Sequence, residues 1–73
     1  MSTSTTAPSR AALALRHSPI PSVRKLAIEE GDDVVVINGK VSSYYLKQMA
    51  QEAVLPVLDG RKLFNRVAVV RAW

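Results

Sequence analysis

Apolar positions fall in two different rhythms along this chain. Over "LKQMAQEAVLPV" they recur with the spacing of one helix face. Leu46, Met49, Ala50, Ala53, Val54 and Val57 form a single stripe, and Lys47, Gln48, Gln51 and Glu52 lie between them. On strand spacing, positions 44, 46, 48, 50, 52 and 54 read Tyr, Leu, Gln, Ala, Glu and Val, which is no pattern. A helix is therefore expected, capped by Ser42 or Ser43. It should end near Leu55, because Pro56 lacks a backbone donor and pushes its predecessor away from helical angles. "VVVIN" and "KLFNRVAVVR" are instead rich in β-branched residues, as strands are. In the second, Val67 and Val69 point one way and Ala68 and Val70 the other.

The stretch "INGKVSS" decides the topology. Asn38-Gly39 is a strong hairpin signal. Yet "GDD" at 31–33 already turns the strand "VRKLAIEE" into "VVVIN", and the residues after Gly39 read as a helix. Gly39 therefore ends a strand and lets the chain turn toward a helix. Upstream, "SRAALALRH" reads as a short helix capped by Ser9 or Thr6. Arg16 and His17 close it, where positive charge suits the dipole, and "SPIP" stops it. Gly60 in "LDG" is suited to a left-handed exit from the longer helix. The order is helix, strand, strand, helix, strand. This is an α+β domain over 9–73, preceded by a small polar segment, 1–8, that is expected to fray.

This order, with Val35, Ile37, Gly39 and Val41 followed after a helix by Asn65, Val67 and Val69, resembles the BON domain. That family is a small bacterial domain first noted in osmotic-stress and nodulation proteins. The likeness runs over roughly 11–70. Where the family often has glycine two residues before the first Val, this chain has Asp33, and its turn glycine is Gly31. The resemblance implies an α-β-β-α-β sandwich, a three-stranded sheet with two helices on one face. It also implies a non-catalytic, stress-related role, attaching to phospholipid surfaces or an envelope partner. Gly39 and Asn65 are then structural motif positions. A side chain at 39 is expected to meet the start of the helix or to need a strained angle.

Composition narrows this further. The 73 residues make one domain, short enough that a partner subunit would add stability. Without cysteine there is no disulfide framework and no thiolate metal site. No apolar run is long enough to span a membrane. "MSTSTTAPSR" has no basic start followed by an apolar stretch, so it is not read as a secretory signal. The expected location is cytoplasmic, or periplasmic if the chain is a trimmed one. The formal charge is +4, and four of the six acids sit in "EEGDD". The remainder is strongly basic and favours anionic partners. Arg10, Arg16, Lys47, Arg61 and Lys62, on or beside the helices and away from the acidic turn, are the candidate lipid- or anion-binding set.

Other chemistry finds little footing. Glu29, Glu30, Asp32 and Asp33 match no calcium-loop spacing, so neither metal nor cofactor is expected. His17 has no carboxylate or serine suitably spaced for catalysis. Nucleic acid is disfavoured, because the strands lack stacking aromatics and no glycine-bounded phosphate loop is present. Tyr44 and Leu55, with Lys47 beside them, are candidates for a lipid interface on the outer helix face. With Val35, Ile37, Val67 and Val69 facing the core, Val34, Val36, Ala68 and Val70 are left on the open sheet face, with Ala27 beside them. An open face usually alternates to polar residues, so this patch is the candidate homo-oligomer interface. Structural self-assembly is thus the alternative to binding at an anionic surface.

Overall fold

The computed structural model describes residues 9–70. The reading of 1–8 as a fraying segment, and Thr6 as an alternative cap, lie outside the described residues. The elements are α1 (Arg10–Arg16), α2 (Pro21–Arg24), β1 (Ala27–Glu30), β2 (Val34–Asn38), β3 (Lys40–Val41), α3 (Tyr44–Val54), a 3₁₀ turn (Leu55–Val57), β4 (Lys62–Asn65) and β5 (Ala68–Val69). β1, β2 and β4 form a mixed sheet with β2 in the middle. β1 is antiparallel to β2, and β4 is parallel to it. The parallel pair needs a crossover, and α3 supplies it. The fold is α+β, with the helices contributing to one apolar core on one side of this sheet.

Local chemistry explains the helix starts. Ser9 caps α1 by accepting the Ala12 N–H at 3.0 Å, and Ser43 caps α3 by accepting the Leu46 N–H at 3.3 Å. Pro56 does not stop the chain dead, since the helix tightens into the 3₁₀ turn before leaving through Asp59 and Gly60, both at positive φ.

The expected strand "VRKLAIEE" is corrected at its start. Pro21 opens α2 instead of merely ending α1, because its fixed φ and missing N–H suit the first position of a helix. Only 27–30 is extended. The final strand is also divided. β4 pairs with β2, whereas β5 pairs in parallel with β3 in a separate two-stranded sheet.

The core is aliphatic. α1 gives Ala11 and Leu15, α2 gives Val23, β2 gives Val35 and Ile37, α3 gives Ala50 and Val54, and Val67 joins from the last segment. Leu46, Met49, Ala53 and Val57, the rest of the expected stripe, pack around them. No polar or charged residue among those described is buried. Each buried Val or Leu contributes roughly 1.5–3 kcal/mol against the chain entropy.

Gly39 stands between β2 and β3 with φ +139°, and a Cβ there would lie 2.5 Å from Leu26 Cδ2. The expected clash with the start of the following helix is corrected. The close neighbour is the Leu26 side chain at the entry to β1.

Candidate binding surface

The pleat of β2 sorts its side chains. Val35 and Ile37 are buried under the helices, so Val34, Val36 and Asn38 project from the other face. Cross-strand register extends that face. Val36 lies between Glu29 on β1 and Phe64 on β4, Val34 lies beside Lys62, and Asn38 lies beside Ala27. Beyond β4 the alternation continues without slipping. Val67 and Val69 turn inward, while Arg66, Ala68 and Val70 are exposed. Lys40 sits opposite Ala68 in the second sheet and is also exposed.

The result is a surface with an apolar centre that no other described residue covers. Val34 and Val36 are half-buried, Ala27 and Ala68 are exposed, and Phe64 and Val70 are 51% and 45% exposed. Around it stand Lys40, Lys62 and Arg66, and among the described residues in register across it the carboxylate is that of Glu29. Glu29 accepts from Asn38 Nδ2 at 3.4 Å. Phe64, Lys40 and Arg66 were not singled out by sequence reasoning, although the two-residue alternation from 62 to 70 contains the signal for Phe64 and Arg66.

The five basic residues of the candidate anion-binding set do not converge. Lys62 is on the sheet face. Arg10 opens α1 and reaches Asp59 at 3.5 Å, both side chains being well exposed. Arg16 closes α1 and shares with Arg24 the rim of a cleft of about 440 Å³ above Leu15, Leu26 and Ile28. Lys47 lines a smaller hollow of about 230 Å³ with Tyr44, Gln48, Gln51 and Asn65.

Arg61 requires a correction, because it lies against the acidic turn instead of away from it. Its Nη1 donates to Glu30 at 2.7 Å. Its Nε and Nη2 donate to the carbonyls of Leu58 and Val57 at 2.8 and 3.2 Å. The guanidinium closes the end of the 3₁₀ turn and ties it to β1, with all three of its nitrogens engaged. On the carboxylate side, Ser9 foremost holds Glu30 below its ordinary range against an upward push from burial, and the Arg61 guanidinium adds to the lowering.

Asn65 joins β4 to α3. Its Nδ2 donates to the Lys47 carbonyl at 2.9 Å, and its Oδ1 accepts the Val67 N–H at 3.2 Å. Tyr44 and Leu55 are exposed on α3 and at its end. His17 caps α1 through its backbone N–H. Among the described residues, no three His, Cys, Asp or Glu side chains gather as a metal site. No described helix is long and apolar enough to cross a membrane. No family model, curated protein or solved structure matches the chain.

Proposed function

We propose that this chain is a non-catalytic binding module of BON type that seats its uncovered sheet face on anionic phospholipid. One observation carries the reading. The face has Val34, Val36, Phe64 and Val70 at its centre and Lys40, Lys62 and Arg66 around them. Apolar groups that enter a headgroup layer, bordered by cations that pair with its phosphates, are the combination an anionic membrane surface selects.

Self-assembly by stacking two such faces is the competing reading. It would bring three cations of each copy against three of the other, with one Glu29 apiece to offset them. Like charges brought together in a desolvating contact oppose association, so the geometry favours an anionic partner over a second copy on this face.

Flotation with vesicles of phosphatidylglycerol and of phosphatidylcholine tests the proposal. The protein is expected to float with the anionic vesicles alone. Phe64→Ser and the pair Lys62→Glu, Arg66→Glu should each abolish flotation while circular dichroism stays unchanged. Equal binding to neutral vesicles, or anionic binding that survives both variants, would sink it.

A further inference from the structure

Among the described residues, strand β1 lies at the edge of the sheet, with β2 on one side only. Gly31 N–H bonds the Val34 carbonyl, and the register pairs Glu30 with Val35. Alternation then turns the N–H and C=O of Ala27 and Glu29 toward β2, and those of Ile28 and Glu30 outward. Exposure agrees, since the Glu30 side chain is only 22% exposed while the residue as a whole is exposed. Its backbone is what faces solvent.

Natural edges are commonly guarded by charge. An edge of one sign repels a second copy, but this edge is polarised. Arg16 and Arg24 stand at the amino end of β1, around the cleft beside Ala27 and Ile28. Glu29, Glu30, Asp32 and Asp33 stand at its carboxyl end. Antiparallel pairing lays the amino end of one strand along the carboxyl end of another. The edge is thus complementary to itself.

We infer that two copies associate through β1, antiparallel and about a two-fold axis, to form one continuous sheet. Register follows from charge. Centring the axis on Glu29 or Glu30 sets identical carboxylates opposite each other, which is unfavourable. Centring it on Ile28 lets each Ile28 exchange both backbone hydrogen bonds with its counterpart, and Glu29 then faces Ala27 of the second copy. Beyond the strand ends, the same arrangement brings the Arg16 and Arg24 end of one copy toward the Asp32 and Asp33 turn of the other. A two-fold contact of this kind is isologous and closes at two. The inference is independent of the phospholipid reading, since Val36, Phe64, Val70, Lys40, Lys62 and Arg66 take no part in the contact.

Sedimentation velocity of the full chain at tens of micromolar is the test. The wild type is expected to be a dimer that dissociates as salt rises. Arg24→Glu and Asp32→Lys should each weaken it by about tenfold or more, and the two combined should restore it. Asp32 is exposed in a turn, so its substitution reports on association without disturbing the core. A monomeric wild type, or single variants that dimerise as the wild type does, would overturn the inference. So would a dimer broken by Phe64→Glu but indifferent to the edge pair, because its contact would be the sheet face.

Discussion

Glu30 and Arg61 meet at 2.7 Å, joining the end of β1 to the exit from α3 across thirty-one positions of sequence. Both side chains are about four-fifths covered. Ser9, the cap of α1, is the leading cause that lowers the Glu30 carboxyl, ahead of Arg61. Because the folded carboxyl titrates below its ordinary value of 4.5, the contribution is present above that value. It is lost as pH falls through the folded value. Arg61→Leu should cost about 1–3 kcal/mol at neutral pH. It should also flatten the acid side of the stability profile, as should Ser9→Ala. Urea melts of wild type and variants from neutral to acid pH check this. Parallel loss of stability in all three would exclude the carboxylate as the source.

Gly39 is fixed twice, by φ +139° and by the approach of Leu26. Gly39→Val should destabilise by about 1–3 kcal/mol through backbone strain alone, with the side-chain clash added. Gly39→Ala combined with Leu26→Ala relieves the clash and leaves the strain. Its melting temperature should stay below that of Leu26→Ala. Equal melting of those two variants would show that the dihedral angle costs nothing.

Asn65→Ala removes the link from β4 to the Lys47 carbonyl and the partner of the Val67 N–H. A loss of about 1–3 kcal/mol is expected, since half-buried polar groups lose their partners. Asn65→Asp keeps the acceptor and loses the donor, so it should recover part of that loss. Thermal melts of the two variants measure the difference.

Vesicle attachment through Lys40, Lys62 and Arg66 should weaken steeply with salt, because exposed charges are screened beyond about 8 Å at physiological ionic strength. Arg61→Leu, whose guanidinium is already engaged by Glu30, should leave flotation nearly unchanged where the pair Lys62→Glu, Arg66→Glu abolishes it. Loss of flotation on replacing Arg61, with the fold intact, would return that residue to the binding set.

Much of the frame was legible because it rests on local chemistry. The α3 stripe, the serine caps, the turn at 31–33 and the strand-ending role of Gly39 each follow from spacing or from one residue's backbone preference. α2 is a single turn, too short for any periodicity, and Pro21 reads equally as a stop and as a first helical position. The division between β4 and β5 depends on partners distant in sequence. Arg61 was misjudged for the same reason. A surface-type residue next to Lys62 gives no local sign that two carbonyls and a carboxylate are waiting for it. Phe64 and Arg66 were within reach, since Val67 and Val69 set the phase that turns both outward.

The sheet mixes two kinds of pairing, and they differ in when they can form. The β1–β2 hairpin closes a loop of a few residues, so it should assemble on the microsecond scale. The β2–β4 pair cannot form until α3 and its 3₁₀ turn have brought residues 62–65 back beside 34–37. Loop closure must come before that pairing is rewarded. Docking of β4 beside β2 is thus expected to follow closure of the hairpin. Until then the central strand carries an unpaired edge, and the unfinished chain, more than the finished one, is open to pairing with the wrong neighbour.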